Sequence, residues 1–305
     1  MPHQVGYCCI NLTLGKDKIS TGRTLRQASF KEDTKLERTS LLALQNATDL
    51  VKILKWNVDN NIKVFRIGSN IFPWNSEYEV TQLPDYFTIA EYLHLAGQII
   101  KQSGQRVSFH PDHFVKLASS KPDVVRRSLH DLNHHNLLFD MMNLPATYHY
   151  PLNIHVGMNY SEEITEKFCE QFNNLNHSTR CRLVVENDDK ANAYSVKKLY
   201  KHIYSKIGTP ITFDYFHHTF NDDGLTSKEA AHLAAETWHE YKPLFHYSES
   251  KNLNENVQGN PRAHSDYALL TLDDYGLNID VDLETKAKEL AWTLYERNRH
   301  DKMVS

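Results

Sequence analysis

Cysteine is scarce in these 305 residues: only Cys8, Cys9, Cys169 and Cys181 occur, and no two are spaced Cys-x-x-Cys. Adjacent cysteines such as Cys8 and Cys9 seldom bridge each other, so the pattern excludes a disulfide scaffold and points to a reduced chain. No apolar run reaches the roughly 18 residues that span a bilayer, so no membrane partner is expected. The opening Met1-Pro2-His3-Gln4-Val5-Gly6-Tyr7 has no basic segment followed by a long apolar one. The expectation is therefore no signal peptide and an intracellular, cytoplasmic or nucleoid-associated protein. Positive charge is not in surplus either: the formal net charge is −4, which argues against a general nucleic-acid coat. It leaves room for a local nucleic-acid site, because bound divalent cations add positive charge where the sequence shows only acids. There is no low-complexity tract and no linker, and no Gly-rich phosphate fingerprint follows the first strand-like run.

What is present is alternation. Short β-rich apolar runs are expected as strands at 5–12, 62–68, 106–110, 152–157, 182–187, 211–216, 244–248 and 277–283. Between and after them lie helix-length segments at 39–60, 89–102, 122–142, 161–174, 195–206, 227–241, a short one at 265–270, and 285–297. Leu41, Leu44, Thr48, Val51 and Leu54 form the expected buried stripe of the first. Gly104 and Gly208 read as helix stops, Pro122 as a helix start and Ser161 as an N-cap. Eight strands, each followed by a helix, imply parallel pairing with right-handed crossovers and closure into one (β/α)₈ TIM barrel, an α/β fold that needs roughly 250 residues. An open doubly wound sheet is the runner-up. One domain is expected over 1–305, with a flexible tail at about 299–305.

The chain holds 18 histidines, and their placement is informative. In a TIM barrel the active site lies at the C-terminal strand ends. Read there, six consecutive strands end in His, Asp or Glu: Ser108-Phe109-His110-Pro111, Asn153-Ile154-His155-Val156-Gly157, Val184-Val185-Glu186-Asn187-Asp188, Phe213-Asp214-Tyr215-Phe216-His217-His218, Phe245-His246-Tyr247-Ser248 and Asp282-Leu283-Glu284. One histidine at a strand end is more often a hydrogen-bonded structural residue than a ligand. Several imidazoles and carboxylates buried in one cavity are costly without compensation, and divalent metal ions supply it. Mixed imidazole and carboxylate donors suit Zn²⁺, Mn²⁺ and related ions. His94, His130, His134, His135, His202, His232 and His239 fall on helical segments and read as surface or packing residues. A metal cluster of this kind serves phosphodiester cleavage, but a metal barrel can also isomerise sugars. From Lys16 to Arg38 seven basic residues (Lys16, Lys18, Arg23, Arg26, Lys31, Lys35, Arg38) face four acidic ones (Asp17, Glu32, Asp33, Glu37), a stretch suited to phosphate contact or to a solvated loop.

At motif level the chain resembles the UV damage endonucleases. The resemblance rests on Val5-Gly6-Tyr7-Cys8-Cys9-Ile10-Asn11-Leu12-Thr13-Leu14, Arg23-Thr24-Leu25-Arg26, Phe65-Arg66-Ile67-Gly68, Ser108-Phe109-His110-Pro111, Glu186-Asn187-Asp188, Asp214-Tyr215-Phe216-His217-His218 and Leu283-Glu284-Thr285-Lys286-Ala287-Lys288-Glu289, in order over residues 5–290. It implies a TIM barrel of the xylose-isomerase and endonuclease IV type. It also implies up to three divalent metal ions, commonly manganese, with zinc, cobalt or magnesium as alternatives. The implied reaction is a nick 5′ to pyrimidine dimers and 6-4 photoproducts, with abasic sites as a further substrate, on damaged double-stranded DNA. The implied metal ligands are His110, His155, Glu186, Asp214, His217, His246, His264 and Glu284, of which Glu186, Asp214, Glu284 and His246 would act in catalysis. Tyr7 and Asn11 would line the lesion pocket, and Arg66 is placed with the DNA-binding residues. A monomer is expected.

The sequence departs from the family in two places. The family carries a wedge of glutamine and tyrosine after the strand-three His-Pro. Here the residues are His113 and Phe114, which keep a flat face without the hydroxyl. Both could instead only pack the loop. Two residues before the strand-seven histidine, where the family has a lysine reported as carboxylated, stands Leu244, which cannot ligate; Lys242 is nearby. Three functions compete on these residues: a DNA repair endonuclease, a sugar isomerase or epimerase on the same barrel, and a catalytically weakened binder of damaged DNA.

Overall fold

The computed structural model describes residues 3–30 and 33–304. Of the expectations above, those touching Met1, Pro2, Lys31, Glu32 and Ser305 lie outside the described residues. Eight strands form one sheet: β1 Gln4–Cys9, β2 Val64–Ile67, β3 Arg106–Phe109, β4 Leu152–His155, β5 Leu183–Glu186, β6 Ile211–Thr212, β7 Leu244–Tyr247 and β8 Asp280–Leu283. Every ladder is parallel, and β1 lies between β2 and β8. β6 and β7 meet through a parallel bridge between Asp214 and His246, with the His246 N–H donating to the Phe213 carbonyl at 2.9 Å. The sheet is thereby closed into the expected barrel. At Gly6 a Cβ would come within 1.8 Å of the Val64 carbonyl oxygen, so only glycine fits this pairing.

The helices cover the outside because their apolar stripes need a partner. Helix Lys35–Asp59 buries Ala43, Ala47, Leu50, Val51 and Leu54; of the expected stripe Val51 and Leu54 are buried, Leu44 and Thr48 half-buried and Leu41 exposed, so the buried face is turned partly away from the expected one. Buried polar residues turn it. Asn46 donates to the carbonyls of Arg23, Asn70 and Ile71, and Asp49 holds Arg23 and the Ser20 N–H. Helices Tyr86–Ser103 and Ser205–Ile207 stop at Gly104 and Gly208, both left-handed. Pro122 opens helix Pro122–Met141, and the Ser161 hydroxyl caps helix Glu162–Asn173. The sixth strand is shorter than expected: past Thr212 only the bridge at Asp214 continues the pairing, and the Asp214 side chain caps the short helix Tyr215–His218.

No helix forms at 265–270. The Leu269 and Leu270 N–H groups donate to the Glu249 carboxylate rather than to carbonyls one turn back, and the short helix is Lys251–Asn254 instead. The last helix, Lys288–Val304, runs beyond the expected stop at 297. Among the described residues no helix is long and apolar enough to cross a membrane.

Candidate metal centre

Glu186, the last residue of β5, stands fully buried at the centre of the C-terminal mouth. His110 Nε2 and His246 Nδ1 lie 3.1 and 3.0 Å from its Oε2, and His217 Nδ1 and His155 Nε2 lie 3.2 and 3.7 Å from its Oε1. Two groups of ligand-type atoms share this carboxylate. One is His110, Glu186, His246 and Glu284; the other is His155, Glu186 and His217; within each group the atoms lie within 4.8 Å of one another. Asp214 and His264 stand beside these groups. Asp214 Oδ1 is 3.9 Å from His217 Nδ1, and His264 Nδ1 is 3.9 Å from Glu284 Oε2. Asp214 Oδ1 accepts the His217 N–H at 2.7 Å as an N-cap, and His264 Nδ1 shares a hydrogen bond with Ser248 Oγ at 2.8 Å.

Glu186 Oε1, Asp214 Oδ2 and His246 Nδ1 are buried yet make no aligned hydrogen bond among the described residues, although opposite partners of Glu186 Oε1 and His246 Nδ1 stand at ion-pair distance. An orphaned buried polar atom costs about 1–3 kcal/mol. Three at one spot, carried by carboxylates and imidazoles, match the donor set that a borderline divalent cation takes. These groups can hold a metal.

The charges are mutually adjusted. Burial pushes the Glu186 carboxyl up, but His246, His155 and the bonds from His110 and His217 outweigh it and hold it well below the usual range. Burial likewise works against ionised Glu284, and Arg66 with His246 overcomes it. Burial lifts Asp214 above the usual carboxylate range, only partly opposed by His217. For His217 burial disfavours the cation, yet Asp214, Glu186 and Glu284 raise it well above the ordinary histidine value.

Beneath the ligands lies a supporting layer that inspection of strand ends did not reveal. Asn153 donates its amide to Glu186 Oε2, Ser108 Oγ donates to Asp282 Oδ2 at 3.1 Å, and Arg66 pairs with Glu284 and lies 3.6 Å from Asp282. Side chains two apart on a strand share a face. Ser108, Asn153 and Asp282 each stand two residues before His110, His155 and Glu284, so stepping back two residues from each ligand would have found them.

Other expected site residues lie as follows. Arg66, placed with the DNA-binding residues, is buried inside the barrel, with Nη2 on Glu284 and 3.2 Å from His246 Nε2. Tyr7 and Asn11, expected to line a lesion pocket, are also buried. The Tyr7 hydroxyl donates to Asn57 Oδ1 at 2.8 Å and accepts from Asn11 Nδ2 at 2.9 Å, while its ring packs on Phe65. All three side chains are buried among the described residues. Leu244 faces the barrel interior one layer below His246, packed with Val64, Val184 and Trp238. Lys242 does not reach the centre; it pairs with Asp280, which also binds Arg106 at 3.1 Å. In the basic stretch, Arg23 is committed to Asp49 and to the Ser20 and Lys18 carbonyls, and Lys35 lies over the Phe30 ring.

His113 and Phe114 do stand at the surface. Their rings are 4.0 Å apart, and Phe114 is 71% exposed. His113 borders a cleft of about 240 Å³ whose wall includes His110, Lys116, His155, Lys190 and His217, and Phe114 lines the neighbouring hollow with Lys116 and Arg127. The Lys116 and Lys190 ammonium groups have no partner among the described residues.

A sequence profile of the family described as UV-endonuclease UvdE matches residues 3–300. A UV DNA damage endonuclease of Clostridium perfringens (strain 13 / Type A) is 30% identical over 295 residues, spanning 94% of this chain and 68% of that protein. The crystal structure of SacUVDE superposes with a TM-score of 0.84 at 29% identity, covering 98% of this chain and 99% of that one. Endonuclease IV from Thermus thermophilus (TM-score 0.56, 12% identity, 83% of this chain, 94% of that one) shares the fold alone. So does D-psicose 3-epimerase (TM-score 0.51, 9% identity, 80% and 84%).

Proposed function

This chain belongs to the UV-endonuclease UvdE family and is a DNA-cleaving hydrolase, and we propose that it nicks damaged duplex DNA 5′ to pyrimidine dimers and 6-4 photoproducts, using divalent metal ions held around Glu186. The observation that carries the reading is Glu186 itself, a buried carboxylate shared by two ligand groups. His110, His246 and Glu284 would hold a cation on one side and His155 and His217 on the other, with Asp214 and His264 completing the set; manganese is the ion we favour. Such cations, when bound, neutralise a phosphodiester and lower the pKa of water.

The chain's own residues do the rest. Asn153 orients Glu186, and Arg66 keeps Glu284 ionised. Lys116 and Lys190 offer positive charge to backbone phosphates along the cleft. Phe114, with His113 against it, would enter the stack where a dimerised step has weakened it, since extruding damaged bases costs less than extruding normal ones; its exposure supports that reading. An epimerase needs a closed pocket around a small sugar, and the open cleft beside Glu186 does not provide one. The test is nicking of UV-irradiated plasmid. Cleavage is expected to need Mn²⁺ and to be lost in Glu186→Gln; metal-independent cleavage, or none in Mn²⁺ with a folded protein, would overturn the reading.

A further inference from the structure

Two cations on the far side of the barrel mouth have no task in the chemistry above. β8 ends at Leu283, Glu284 follows, and the chain then turns through Thr285, Lys286 and Ala287 into helix Lys288–Val304. Lys286 is exposed and Lys288 half-buried, and neither ammonium has an acidic or hydrogen-bonding partner among the described residues. The turn that carries them is built firmly. The Lys286 N–H donates to the Ser265 carbonyl at 3.0 Å and the Ala287 N–H to the Asp266 carbonyl at 2.9 Å. Glu289 accepts the Leu12 and Thr13 N–H groups at 2.8 and 2.7 Å, which binds this turn to the segment after β1. The Lys288 ammonium is close enough to Cys9, a wall residue of the cleft that also contains His110, to oppose the upward push of burial on that thiol.

Lys288 has φ +51°, a left-handed conformation in which an L side chain is strained and glycine is not. Strained non-glycine residues persist where the surroundings hold them and gather at functional sites. In an eight-stranded barrel β8 lies opposite β4, and β4 is flanked by the turns after β3 and β5 that carry Lys116 and Lys190. Free positive charge therefore stands on both sides of the Glu186 centre, and phosphate binding at the β7–β8 side of the mouth is a recurrent use of this fold.

We propose that Lys286 and Lys288 form a grip for the DNA backbone, holding phosphates on the β8 side of the mouth opposite Lys116 and Lys190. The proposal rests on the nucleic-acid reading above. The contact is to phosphate, so it is independent of sequence and of damage, and it fixes the register of the strand across the metal centre.

The test is fluorescence anisotropy of the full chain with a labelled undamaged duplex in MnCl₂, titrated across KCl from about 50 to 200 mM. Lys286→Ala and Lys288→Gly are each expected to reduce the slope of log affinity against log salt by about 1, and the pair by about 2. Lys286→Arg and Lys288→Arg are expected to restore it. Lys288→Gly relieves the left-handed strain, so its Tm should equal or exceed that of the parent chain while affinity falls, a split that a purely structural lysine would not give. If the parent chain binds with a steep slope and the variants keep it, the grip is wrong and the nucleic-acid reading stands. If the parent chain shows no salt-dependent binding, that reading fails and the grip with it.

Discussion

Arg66 reaches Glu284 from inside the barrel. Its guanidinium, on β2, pairs with that carboxylate and lies 3.6 Å from Asp282, so one buried cation serves both Asp282 of β8 and Glu284 just past the strand end. Removing one partner of a buried charge group leaves the others uncompensated, at about 3–5 kcal/mol. Arg66→Leu should lose that much stability in urea unfolding and recover part of it when MnCl₂ is added. Its DNA affinity should keep the salt slope of the parent chain, because the side chain is not presented to DNA. A reduced slope would instead return Arg66 to the DNA surface.

Asn153 holds Glu186 from the strand beside it. Partners that orient a metal-ligating side chain are worth roughly 10–100-fold in metal affinity. Asn153→Ala is expected to weaken Mn²⁺ binding by that factor in isothermal titration calorimetry. Unchanged Mn²⁺ affinity would show that the amide does not orient the ligand.

Phe114 is 71% exposed, so Phe114→Ala should change stability by no more than about 0.5 kcal/mol. Base–aromatic stacking is worth about 1–3 kcal/mol per base, and affinity for a duplex with one thymine dimer should fall by that amount. If the ring only packs its loop, the outcome reverses: stability falls and lesion affinity holds.

His134 packs edge-on against Phe72 in the outer core, away from the metal centre, and burial lowers its pKa from 6.5 to about 3, with His135 and His130 adding to the effect. The folded form prefers the neutral ring. Its contribution to stability is therefore complete above pH 6.5 and is lost as pH falls towards 3, at about 1.4 kcal/mol per pH unit. His134→Leu should flatten the difference in unfolding free energy between pH 6.5 and 4 relative to the parent chain. Equal pH dependence in both proteins would show that His134 is already charged when folded.

Alternation of β-rich and helical segments was enough to determine the eight-fold barrel, since eight parallel units close on themselves and local periodicity marks each unit. The six ligand-bearing strand ends were legible for the same reason: in this fold the C-terminal strand ends share one mouth, so His110, His155, Glu186, Asp214, His246 and Glu284 had to be neighbours. The family motifs added His264, which sits in a loop with no periodic signal. Tertiary structure alone decided which way side chains face. Tyr7 turned into the core and Arg66 into the barrel because neighbouring positions on a strand alternate faces, and one residue of register moves a side chain from one to the other; Asn11, past the end of β1, is held inward as the cap of the next turn. Leu41 ended in solvent because Asn46 and Asp49 found buried partners only after loops distant in sequence had closed over them. Local sequence specifies what kind of element forms; which partner each side chain meets depends on residues far along the chain, and that is set only when the barrel closes.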